Sequence, residues 1–138
     1  MSRNTNRIIY ITSNFKIRRG DVIYADLGDE EDVVGSEQFG IRPVLITQCN
    51  RNNNKSTTYI AVILTSSIKR LSDPCHVLLP RMQGLPKITM ACCEQRFTLD
   101  RERFIKFVGH VGGQTIKKIT RACHKAEEAD KKKQGDQL

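Results

Sequence analysis

A chain of 138 residues with 38% hydrophobic and 28% charged side chains is long enough to bury one core without disulfides or metals, and fits a soluble, somewhat polar domain. Its longest clean apolar run, Tyr59 to Leu64, is far too short to cross a bilayer, and no apolar segment follows Arg3 and Arg7 as a secretory signal would require. The formal net charge of +8 is uneven: residues 1–19 carry five basic and no acidic side chains, residues 20–40 seven acidic and no basic ones, and the remainder 18 basic against 8 acidic. A body this basic suits a polyanionic partner, because each neutralised phosphate releases counterions, although charge alone serves solubility equally well.

Residues 1–17 read as a peripheral N-terminal extension in which Ile8-Ile9-Tyr10-Ile11 could add an edge strand, and the ordered domain is expected over 18–127. Asp21 to Leu27 reads as a strand with Val22, Tyr24 and Asp26 on one face and Ile23, Ala25 and Leu27 on the other. A long acidic loop follows from Gly28 to Gly40, then a short apolar strand from Pro43 to Gln48 and a polar turn from Asn50 to Ser56. Thr57 to Leu64 is rich in β-branched residues and reads as a buried strand that delivers Thr65-Ser66-Ser67 to its end. His76 to Leu79 and Ile88 to Cys93 are two more strands, the second continued by Glu94 to Leu99. Asp100 is a candidate N-cap for a short turn through Arg103, and Val108 to Val111 a last brief strand. From Gln114 the period becomes helical, with Ile116, Ile119, Ala122/Cys123 and Ala126 on one side and Lys117, Lys118, Arg121 and Lys125 available to the other. Residues 128–138 form a polar tail. The fold class is therefore mainly β with a C-terminal helix, a small curved antiparallel sheet or barrel.

The chemistry-bearing residues narrow the function. Five cysteines show no C-x-x-C spacing, and the adjacent pairs Cys75-His76 and Cys123-His124 lack the usual separation of zinc ligands, so no metal site is assigned. None of the three histidines sits in a context that requires catalysis, and no serine has a nucleophile-elbow pattern. By contrast, Gly35-Ser36-Glu37-Gln38-Phe39-Gly40-Ile41-Arg42-Pro43 gathers a hydroxyl, a carboxylate, an amide and a permanent cation on a glycine-bracketed turn. Pro43 holds Arg42 in extended geometry at the mouth of a strand. Arginine does not act as a base at neutral pH, but it stabilises a phosphate that is gaining charge, bidentately and in fixed geometry. Thr65 or Ser66 could share that role, with Glu37 accepting a proton from an attacking hydroxyl. Alternatively, Arg42 could simply pair with Glu37 or an acid of the 26–32 run.

Arg19-Gly20-Asp21-Val22, Tyr24-Ala25-Asp26-Leu27, Gly35-Ser36-Glu37-Gln38-x-Gly40-x-Arg42-Pro43-Val44-Leu45, Thr65-Ser66, Glu94-Gln95 and Gly109-His110 together resemble the MazF/PemK family of toxin endoribonucleases, from about Arg18 to Ala126. The resemblance implies a small SH3-like antiparallel barrel with a C-terminal helix, related in fold to CcdB and working as a homodimer in the bacterial cytoplasm. It implies cleavage of single-stranded RNA at a short sequence, without metal or other cofactor, by attack of the ribose 2′-OH to leave a 2′,3′-cyclic phosphate and a 5′-OH. Arg42, Thr65 and Glu37 take the catalytic places, and Ser36, Gln38, Phe39, Ser66, Lys69 and Gln95 fall at the RNA site, with Phe39 and Phe97 available for base stacking. The implied protein partner is a cognate MazE-like antitoxin with an acidic tail. A non-catalytic RNA-binding module, or a gyrase-directed inhibitor resembling CcdB, is the alternative on the same barrel.

Overall fold

The computed structural model describes residues 8–29, 31 and 38–128. Among these, strands β1 (Ile9–Tyr10), β2 (Asp21–Asp26), β3 (Ile41–Ile46), β4 (Thr58–Thr65), β5 (His76–Leu78), β6 (Met90–Asp100) and β7 (Phe104–His110) form one antiparallel sheet in the order β1-β7-β2-β3-β4-β6-β5. Helix α1 (Asn50–Asn53) is a single turn after β3, and helix α2 (Gly113–Glu127) ends the described fold. The mainly β architecture with a terminal helix agrees with the sequence, but the sheet does not close: β1 and β5 are its two edges.

The sheet is covered on both faces, which explains why Val44-Leu45-Ile46 and Tyr59 to Leu64 are near-continuous apolar runs. Val22, Leu45, Val62 and Leu64 meet Ile119, Ala122 and Cys123 of α2 on one face. Ile23, Ala25, Val44, Ile46, Ala61 and Ile63 face the other way, onto Ile17, Leu99 and Phe104. The alternation expected along β2 therefore sorts its residues between two apolar clusters instead of between core and water. Lys117, Lys118 and Arg121 stay on the exposed side of α2.

The second apolar face is capped from the N-terminal side. Ile17 is 2% exposed, the Phe15 ring lies 5.3 Å from that of Phe107, and Ile11 and Phe15 pack on the same cluster. Ile11 N–H donates to Ile105 O at 2.9 Å, and Arg101 donates to the carbonyls of Thr12 and Phe15. β1 pairs with β7, giving the edge strand that the Ile8 to Ile11 run suggested.

The Arg19-Gly20-Asp21 and Gly109-His110 segments form one structural knot. Asp21 is fully buried and accepts from Arg18 N–H at 2.8 Å, and its Oδ1 lies 2.7 Å from His110 Nδ1. Gly20 holds φ +97°, and a Cβ there would stand 3.0 Å from the His110 ring, so the turn admits only glycine without a shift.

Two stretches differ from expectation. Asn50 to Asn53 turns once as a helix because Asn53 and Gln48 exchange side-chain hydrogen bonds, Asn53 Nδ2 to Gln48 O at 2.9 Å and Gln48 Nε2 to Asn53 Oδ1 at 3.0 Å. β7 begins at Phe104, well before Val108, because register shifts against β2 interrupt the period-two signal. The Asp100 cap forms as expected, its Oδ1 accepting from Glu102 N–H at 2.9 Å. β6 is one strand through residue 100, but β4 pairs Ile63 with Cys92 and Val62 with Arg96, so residues 93–95 bulge out of the ladder. That bulge re-aims Glu94 and Gln95.

Candidate active site

The β2–β3 connection is pinched at its base. Gly40 N–H donates to Gly28 O at 2.8 Å and Leu27 N–H to Gly40 O at 2.9 Å, with the two glycines at φ +78° and +103°. These left-handed positions let the chain leave and rejoin the ladder at one point. Ser36 and Glu37 lie outside the described residues; Gln38 and Phe39 are within them and half-buried.

Arg42 is held in β3 opposite Ala25, with Pro43 next to it opposite Tyr24. Its Nε donates to Phe39 O at 2.9 Å, and its guanidinium carbon is 5.7 Å from the centre of the Phe39 ring. Arg42 makes no ion pair with an acid among the described residues. β3 and β4 pair from Val44 and Ile63 inward, and Arg42 and Thr65, two residues beyond that pair, line the same cleft. Thr65 Oγ1 accepts from Ser67 N–H at 3.0 Å, which fixes the hydroxyl at the strand end.

Two clefts meet at Thr65. The first, of about 280 Å³, is lined by Tyr24, Arg42, Pro43, Thr65, Ser66 and Lys87, among others. The second, of about 430 Å³, is lined by Gln38, Thr65, Ser67, Lys69, Arg70, His76, Cys92, Glu94 and Gln95, among others. Arg42, Thr65, Ser66, Gln38, Lys69 and Gln95, chosen from the sequence, therefore line one pair of adjoining clefts, with Phe39 against Arg42. Phe97 is not among them: it is half-buried and packs on the apolar cluster beneath β4 and β6.

Lys87, Arg70, Tyr24 and His76 are cleft residues that sequence reasoning did not select. Leu85 is buried and anchors the β5–β6 connection, and that anchor brings Lys87 back to the first cleft. A basic residue just after Gly84-Leu85-Pro86 was the available signal. At His76, burial opposes protonation, but its bonds to Glu94 (Nε2 to Oε2, 3.1 Å) and to Arg70 O (Nδ1, 3.0 Å) outweigh it, and the imidazole pKa is raised. Burial, with the charge of Glu94, pushes the Cys92 thiol up to about 11, so at neutral pH it is no nucleophile.

A cleft with an arginine that pairs with no acid among the described residues, a fixed hydroxyl and flanking lysines is equipped to orient a phosphodiester and stabilise added negative charge. Comparison with known proteins agrees. The family model of the PemK-like, MazF-like toxin of type II toxin-antitoxin systems matches residues 18–126. The chain belongs to this family. It is 35% identical over 107 residues to Endoribonuclease EndoA of Bacillus subtilis (strain 168), covering 77% of this chain and 90% of the relative. It is 36% identical over 107 residues to Endoribonuclease MazF of Staphylococcus saprophyticus, covering 77% of this chain and 87% of that protein. Among solved structures, an endoribonuclease in complex with its cognate antitoxin from Mycobacterial species superposes with a TM-score of 0.66 at 25% identity, over 80% of this chain and 94% of that one. With these relatives the chain is an endoribonuclease toxin of the MazF type. Among the described residues no helix is long and apolar enough to cross a membrane.

Proposed function

We propose that this MazF-type toxin cleaves single-stranded RNA at a short sequence and needs no metal to do so. The observation that carries the proposal is that Arg42, with no ion pair to a described acid, and Thr65 line one cleft. The attacking group, a ribose 2′-OH, belongs to the substrate and already adjoins the phosphate, so the protein supplies orientation and charge stabilisation. The 2′ oxygen bonds to phosphorus, its proton passes to Glu37, and the bond to the 5′ oxygen breaks. That oxygen takes a proton from solvent water and leaves as a 5′-OH, Glu37 gives its proton back to solvent, and a 2′,3′-cyclic phosphate remains. Arg42 holds the phosphoryl oxygens as charge accumulates, and the Thr65 hydroxyl positions the same group. Ser36, Gln38, Phe39, Ser66, Lys69 and Gln95 bind the flanking nucleotides. Unpaired bases are needed, because edges must be exposed to be read.

The protein works as a homodimer, and its natural antagonist is an antitoxin whose acidic tail occupies the same basic clefts. The relative solved in complex with its cognate antitoxin supports an antitoxin as partner. The decisive experiment uses an RNA pool in EDTA. Cleavage is expected to proceed with 5′-OH ends at a common short sequence, and to vanish when the scissile nucleotide carries 2′-hydrogen. Cleavage of the 2′-deoxy substrate would overturn the mechanism, and salt-sensitive binding without product would favour a non-catalytic RNA-binding module.

A further inference from the structure

The second cleft carries a donor set that RNA cleavage does not use. His76 of β5 is paired directly with Cys92 of β6, and Glu94 follows two residues later, beside the bulge. His76 Nε2 and Glu94 Oε2 are 3.1 Å apart, and the nitrogen, the carboxylate oxygen and Cys92 Sγ all lie within 4.8 Å of one another. A tetrahedral zinc ion with bonds of about 2.0–2.3 Å requires donors about 3.3–3.6 Å apart, so only small rotations would gather the three around one centre.

The hydrogen bonding at His76 points the same way. Nδ1 lies 3.0 Å from Arg70 O, an acceptor only, so Nδ1 carries the proton. Nε2 faces a carboxylate oxygen at 3.1 Å, a pair completed by a cation between them, whether a proton or a metal ion. A proton would serve the histidine and glutamate but gives no use to the sulfur beside them. An imidazole steadied through its other nitrogen by a backbone carbonyl is the usual arrangement of a metal-ligating histidine. Imidazole, thiolate and carboxylate together suit zinc better than magnesium or calcium, which prefer oxygen alone.

We propose that His76, Cys92 and Glu94 form a zinc site in the wall of the second cleft, and that zinc there slows RNA cleavage. Three protein ligands leave a fourth position open to water or to a phosphate oxygen. A phosphate drawn to that position is held on the far side of Thr65 from Arg42 and cannot lie against the guanidinium. The inhibitory half rests on the cleavage reaction proposed above; the binding half does not.

The test uses the full chain, reduced and freed of metal. Calorimetric titration with zinc is expected to show one ion per chain, and cobalt(II) a thiolate-to-metal charge-transfer band in the near ultraviolet. Cys92→Ala should abolish the band and weaken zinc binding by at least ~10-fold, the lower end of what even outer-shell changes cost. His76→Gln, on a short edge strand, is a second variant should the buried cysteine site tolerate change poorly, and it should weaken zinc by a similar factor. With one equivalent of zinc the unaltered protein should lose most of its cleavage rate, whereas Cys92→Ala should cut as fast with the metal as without it. Absence of stoichiometric uptake, zinc affinity in both variants equal to that of the unaltered chain, or equal inhibition of Cys92→Ala would overturn the proposal. If no RNA is cut even without zinc, the cleavage mechanism and the inhibitory half fall, while the titrations still decide the metal site.

Discussion

Arg42→Ala is expected to lower the single-turnover cleavage rate by about 10²–10³-fold, the usual cost of removing one preorganised donor from a developing oxyanion. Thermal unfolding should barely move. Within the described fold Arg42 makes one hydrogen bond, to Phe39 O, and one contact with the Phe39 ring. Those are worth about 1 kcal/mol each at most in a half-exposed setting. Arg42→Lys keeps the charge but not the planar fork, so it should fall between the alanine variant and the unaltered chain. Single-turnover assays with saturating RNA, alongside circular dichroism, separate chemistry from folding. An alanine variant that cuts at the original rate would remove Arg42 from the reaction.

Deleting residues 1–17 should be the most damaging change to stability. The family match begins at residue 18, which makes this truncation a natural one to design. Yet Ile17 is 2% exposed, and Ile11 and Phe15 pack against the cluster of Ile23, Ile63 and Phe104. Fully burying one such side chain contributes about 1.5–3 kcal/mol, and two of the three are only partly buried, so the loss is about 3–6 kcal/mol. Arg101 would also lose its acceptors on Thr12 and Phe15. Against a typical total of about 5–15 kcal/mol, the truncated chain should unfold early in urea or aggregate. Ile17→Ala alone should shift the urea midpoint downward by the equivalent of about 2–4 kcal/mol. A truncated chain with an unchanged midpoint would show that this segment covers the sheet without holding it.

The residues that were legible in the sequence share a property: their signal is local. The helical period of Ile116, Ile119 and Ala122/Cys123 needs no knowledge of the sheet, and α2 buries Ile119, Ala122 and Cys123. The Asp100 cap depends on one side chain and an amide two residues on. Arg42 was legible because Pro43 constrains it, and Thr65 because a β-branched run ends there. Their meeting in one cleft follows only from strand pairing, which the sequence does not state. Non-local pairing also hid the rest. His76 looked unpromising beside Cys75, because its partners Cys92 and Glu94 lie on another strand. Phe97 leans onto the apolar cluster beneath the sheet because β6 resumes its alternation after the bulge. The N-terminal segment looked peripheral because its apolar residues are scattered among Asn, Ser and Thr, and only the curved sheet gives them a common target.

Thr65 stands on the partition between the two clefts, with β3 and the Lys87 loop on one side and β5 and β6 on the other. A strand of RNA crossing that partition at the broken bond would leave its upstream and downstream letters in separate chambers with separate walls. Recognition then becomes modular. Exchanging Gln95 or Lys69 should rewrite the preferred bases on one side of the cut and leave the other half of the word intact, as sequencing of the cleaved ends would reveal. A toxin built this way can acquire a new target one half-word at a time, without disturbing Arg42.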